Sequence, residues 1–120
     1  MVLRNGIYRV VYVNRNMINA AASAEALAVL REGQIFGSDQ NGAVFTGHVG
    51  ARTDEGTEVC LSVAVPPFGK TAVGFVAGPV GARFAIDARL CGGPMPETAC
   101  LRIAGATFPI TLCYVGPLLN

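Results

Sequence analysis

Apolar side chains in this chain recur at every second residue over short stretches, and turn-forming residues interrupt them roughly eight to twelve residues apart. That period belongs to strands, and the spacing leaves room for little else. The stretch Ala82 to Cys91 shows it best: Phe84, Ile86, Ala88 and Leu90 alternate with Arg83, Ala85, Asp87 and Arg89. One face of such a strand is apolar and the other meets water.

Further strands are expected at Ile7–Asn14, Gln34–Phe36, Ala43–Arg52, Thr57–Val65, Thr98–Ala104 and Thr107–Val115, with a short one at Thr71–Val76. Glu32-Gly33, Ser38-Asp39-Gln40-Asn41-Gly42 and Asp54-Glu55-Gly56 read as turns, with Asn41 and Gly42 supplying the positive φ pair that hairpins favour. Ala20–Ala28 is ambiguous. Its alanines suit a short helix capped by Ser23, or a plug, whereas Leu27–Arg31 reads as strand. A meander of about eight strands is most simply closed as an antiparallel up-and-down barrel, which leaves no edge unpaired. The expected fold is therefore all-β, one domain over residues 1–120, with an interior that side chains fill or that holds one small ligand.

Composition narrows the function. Hydrophobic residues make up 52% of the 120 and charged residues 14%, with a net charge of +1. Disorder is excluded by the apolar content, and non-specific nucleic-acid binding lacks the positive charge it needs. So little charge on a small chain calls for a subunit interface or an internal cavity to absorb the apolar excess. No apolar leader opens the sequence. Val59–Ala82 and Ile103–Asn120 are nearly uncharged but are broken by prolines and glycines, so neither suits a spanning helix. A cytoplasmic protein is expected.

Chemical motifs are scarce. The four cysteines form no C-x-x-C pair, which argues against zinc and thioredoxin-type chemistry and favours reduced thiols. Ala64–Thr71 matches a relaxed phosphate-loop pattern, but Pro66 and Pro67 remove two of the N–H donors that a phosphate would need. His48 is the one histidine. It lacks companions for a metal, and only Cys60, one strand away, could join it in a nucleophilic pair. The carboxylates have no acid–base spacing. Neither cofactor, metal nor catalysis is expected. Asp54, Glu55 and Glu58 cluster at one hairpin tip and form a candidate acidic knob for a basic protein surface.

Three features taken in order point to a family. Gly6-Ile7-Tyr8, the Gly33-x-x-x-Gly37-x-Asp39 turn and Phe45-Thr46-Gly47 resemble, over residues 5–66, the GrlR-like family of small negative regulators of bacterial type III secretion. The resemblance implies an eight-stranded lipocalin-like barrel with an apolar cavity, and a homodimer formed by hydrophobic contact. It also implies a regulator that engages a transcriptional activator through an exposed acidic run. Asp54 and Glu55 match part of that run, and Gly56 and Thr57 interrupt it here.

Two functions compete on these grounds. One is a non-catalytic regulator that sequesters a protein partner through Asp54, Glu55 and Glu58. The other is a carrier of a small apolar ligand. Cavity candidates are Tyr8, Val10, Tyr12, Phe36, Phe45, Phe84 and Ile86. For the first strand the opposite face (Ile7, Val11, Val13) fits the pattern as well, because a one-residue slip inverts every side chain.

Overall fold

The computed structural model describes residues 3–13, 23–54, 56–69, 76–91, 100–103 and 106–118. Among them the chain forms β1 (Gly6–Val13), β2 (Ser23–Arg31), β3 (Gln34–Asp39), β4 (Val44–Thr53), β5 (Gly56–Val65), β6 (Ala82–Cys91), β7 (Cys100–Ile103) and β8 (Ala106–Gly116), with no helix. The all-β, antiparallel expectation holds. Each strand pairs antiparallel with the next, and β8 also pairs with β1 from Ile7↔Gly116 to Tyr12↔Ile110, so the pairings run in a ring.

Period-two patterning sets the inner and outer faces. Along β3, burial alternates strictly, with Ile35 turned in and Phe36 turned out. On β6, Phe84, Ile86, Ala88 and Leu90 turn in, as the alternation requires. Two clusters of buried side chains lie on the inner faces. Tyr8, Leu30, Val59, Leu90, Ile110 and Leu112 form one. Ala43, Val63, Val65 and Ala77 form the other. Each large side chain buried this way contributes about 1.5–3 kcal/mol.

The turns follow from local chemistry. Glu32 (φ 49°) and Gly33 (φ 79°) make the two-residue type I′ hairpin between β2 and β3. The Asn5 carboxamide clamps it, donating to the Glu32 carboxylate at 2.9 Å and accepting the Glu32 N–H at 3.1 Å. Between β3 and β4, Asp39 Oδ1 accepts the N–H groups of Asn41 (2.9 Å) and Ala43 (3.1 Å). This loop is longer than a two-residue hairpin. Only its Gly42 (φ 93°) is left-handed, so the expected positive φ pair at Asn41-Gly42 is corrected to one. A register shift between Val49 and Arg52 marks a bulge in β4 just before the acidic turn.

The helix or plug expected near residues 20–28 is also corrected. Ser23–Ala28 is strand, paired residue by residue with Tyr8–Val13. Residues 20–22 lie outside the described residues, as do most of Thr71–Val76, where only Val76 appears, as an isolated bridge. Cross-strand pairing on both sides of β2 outweighs the helix preference of alanine, a weak prior of less than 1 kcal/mol per residue.

On the outer face, Arg9 of β1 and Glu25 of β2 form an ion pair. The hydrogen bond from Arg9 holds the Glu25 carboxyl below its usual range. A lowered carboxyl stabilises the fold above its unfolded-state pKa and stops doing so as pH falls through the folded one. Glu25→Gln is therefore expected to lower Tm slightly near neutral pH, with the difference from wild type closing in acid. Thermal melts of both proteins across pH 2–7 check this, and a difference that persists at the acid end counts against it.

Candidate functional site

The inner faces line a cavity of about 550 Å³ that opens to solvent. Alternation explains why it exists. Two inward positions of β2, Ala26 and Ala28, are small, and both line the space. Facing them stand larger walls: Phe45 of β4, Leu61 of β5, and Phe84 and Ile86 of β6. These four are only half buried although they point inward, because their free surface meets the cavity. No described side chain of any size is fully buried. The Phe45 ring lies over Gly37, directly opposite it in register, where an added Cβ would stand 2.4 Å from that ring.

The wall carries two polar side chains, Tyr8 and Asp39. Both are engaged elsewhere. The Tyr8 hydroxyl donates to the Arg4 carbonyl at 2.7 Å, and the Asp39 carboxylate holds the β3–β4 turn. Burial raises the Tyr8 pKa, partly offset by its bond to Arg4. A guest therefore meets mostly hydrocarbon and aromatic surface. Leu3 reaches the cavity, the Arg4 guanidinium stacks 3.6 Å over the Tyr114 ring, and Tyr114 meets Tyr8 edge to face at 5.4 Å.

Of the cavity candidates, Tyr8, Val10, Phe45, Phe84 and Ile86 line this space together. The side chain of Tyr12 lies outside the described residues. Phe36 is corrected: it points outward and is 45% exposed. The two-residue turn at Glu32-Gly33 pairs Arg31 with Gln34, and that register sends Ile35 inward and Phe36 out. Sequence reasoning missed Ala26, Ala28, Ile35 and Leu112. The usable signal was the every-second alanine in Ser23–Ala28, which a helical reading discards.

The acidic tip is placed differently from a free triad. Asp54 is exposed in the β4–β5 turn and Glu55 lies outside the described residues. Glu58 sits two residues into β5, exposed, with Arg89 at 3.7 Å.

His48, Cys60 and Asp87 form one cross-strand row on the outer face of β4, β5 and β6. Their order matters. Burial and the adjacent Asp87 push the Cys60 thiol up, the reverse of what a thiolate nucleophile needs. Among the described residues no group of His, Cys, Asp and Glu is arranged to hold a metal. At the phosphate-loop match, the N–H groups of Phe68 and Gly69 bond to the carbonyls of Gly78 (2.9 Å) and Pro66 (2.7 Å), so they are not available to an anion. No helix among the described residues is long and apolar enough to cross a membrane. Comparison with family models, curated proteins and solved structures finds no match to this chain.

Proposed function

We propose that the ring of strands acts as a lipocalin-like barrel that carries a small, largely apolar molecule. The cavity supports this reading. Its volume of about 550 Å³ falls in the range of ligand sites and exceeds threefold the roughly 150 Å³ apolar cavity that accepts benzene. Its wall offers contact and desolvation, the terms that favour an uncharged apolar guest. Titration with N-phenyl-1-naphthylamine, a neutral fluorescent probe, tests the reading. Saturable one-to-one binding with a blue-shifted emission is expected. Absence of saturable binding by a protein that remains β-folded in circular dichroism overturns it.

A second reading rests on the exposed turn carrying Asp54. In it the protein is a GrlR-like regulator that captures a basic partner surface. It works as a homodimer whose apolar contact comes from the outward Leu27, Phe36 and Val44, which are 54%, 45% and 50% exposed on neighbouring strands. Native mass spectrometry separates the readings. A retained, extractable small-molecule adduct supports the carrier. A bare dimer turns attention to the acidic tip, and unchanged partner capture by the Asp54→Ala, Glu55→Ala protein counts against the regulator.

A further inference from the structure

Cys91 ends β6 and Cys100 opens β7, and the two are directly opposed in register. Opposed residues of an antiparallel pair have Cα atoms about 4.5–5.5 Å apart, inside the span that a disulfide bridges. The Sγ atoms stand 2.8 Å apart, both thiols are free, and both side chains are partly open to solvent. Two residues further along the same face, Arg89 and Arg102 are opposed in the same way. Both guanidinium groups thus lie on one side of the thiol pair, where they oppose the burial and the Cys100 contact that push the Cys91 thiol up, and Arg89 also pairs with Glu58. The other two cysteines have no such arrangement: Cys60 is opposed to His48 and Asp87, and Cys113 to Arg9.

We propose that Cys91 and Cys100 form a thiol–disulfide exchange site, closed by a small anionic disulfide of the glutathione type. This goes beyond the carrier reading and does not depend on it. One protein thiolate attacks a sulfur of glutathione disulfide. A protein–glutathione S–S bond forms, the glutathione S–S bond breaks, and one glutathione thiolate leaves and takes up a proton. The neighbouring protein thiol, deprotonated in turn, attacks the protein-side sulfur. The Cys91–Cys100 bond forms and the second glutathione leaves with its proton. The two protein thiols lose two electrons in total, and one glutathione disulfide becomes two glutathiones. The short gap between the sulfurs favours the second step over accumulation of the mixed disulfide. Arg89 and Arg102 attract the carboxylates of the incoming disulfide. Closure ties the ends of β6 and β7 across the connection between them, so the oxidised form is expected to melt at a higher temperature than the reduced form.

The test uses the fully reduced whole protein incubated with glutathione disulfide, followed by intact mass and peptide mapping. The expected product has lost two hydrogens, carries no retained glutathione, and maps to a Cys91–Cys100 cross-link. Cys91→Ser and Cys100→Ser should each instead retain one glutathione on the remaining cysteine. Cys60→Ala with Cys113→Ala should close as wild type does. Arg89→Gln with Arg102→Gln should slow the reaction several-fold more with glutathione disulfide than with the uncharged hydroxyethyl disulfide, where only the loss of thiolate is felt. A wild-type product that keeps stable glutathione adducts, or a cross-link that maps elsewhere, overturns the proposal. The wild-type mapping needs no variant, so a substitution that fails to fold does not protect the idea.

Discussion

Ala28→Phe is expected to weaken binding of the neutral naphthylamine probe at least tenfold while leaving the sheet intact. Ala28 is paired with Tyr8 on one side and Gly37 on the other, and it lines the cavity. A phenyl ring on that Cβ projects into empty space near the Phe45 ring. It occupies volume that the guest needs, and it finds apolar contacts there. Overpacking of a filled core costs about 1–3 kcal/mol, but a cavity of 550 Å³ takes the ring without displacing a neighbour. Stability should therefore hold or rise while affinity falls, by about 1.4 kcal/mol for each factor of ten. The paired control is Phe36→Ala. Phe36 is larger and aromatic, but it lies on the outer face, so its removal should leave the affinity unchanged. Fluorescence titration of the three proteins decides the matter. Equal losses in both variants, or none in Ala28→Phe, would mean that the probe binds outside the ring.

The contrast between Phe36 and Ala28 also marks what the sequence could and could not reveal. Strand alternation was legible because inside and outside differ chemically, and on β6 every residue of Arg83–Leu90 took its expected face. Phe36 was not, since an aromatic residue beside Ile35 satisfies either register, and only the Glu32-Gly33 turn decides between them. The alanines of β2 were illegible for a related reason. Their small size serves the cavity, but cavity volume is a property of the whole ring, while helix propensity is a property of the segment. The thiol pair was hidden too, because nothing in the spacing of Cys91 and Cys100 sets their register. The family resemblance rested largely on glycines and aromatics that now have structural tasks. Gly37 makes room for the Phe45 ring, and Asp39 ties its turn. Any tightly curved sheet of this kind needs such residues. They bear on the fold and are silent on partner capture, which rests on the Asp54 turn alone.

Gly47 belongs to the same group, and it carries the largest stability effect expected in the molecule. It is paired with Ile35 on β3 and Leu61 on β5. A Cβ added there would stand 1.9 Å from the carbonyl oxygen of Cys60 and 2.9 Å from its carbonyl carbon. The obstacle is backbone, so no rotamer change relieves it. Relief requires β4 and β5 to separate, at the expense of their ladder hydrogen bonds. Gly47→Ala is expected to cost about 3 kcal/mol, at the upper end of overpacking effects. In a domain of this size that is a Tm drop of roughly 10 °C and a large part of a typical 5–15 kcal/mol total. Gly50→Ala, on the same strand, is the control. Its added Cβ would meet the Cβ of Glu58 at 3.2 Å and the carboxylate of that side chain at 3.3 Å. The carboxylate can swing aside and the Cβ needs to give by only a few tenths of an ångström, so the cost there should be smaller. Urea denaturation of wild type and both variants measures the difference. If Gly47→Ala proves no more damaging than Gly50→Ala, the close approach of β4 to β5 is wrong. If the large difference is found, the missing side chain at Gly47 is what lets β4 lie this close to β5.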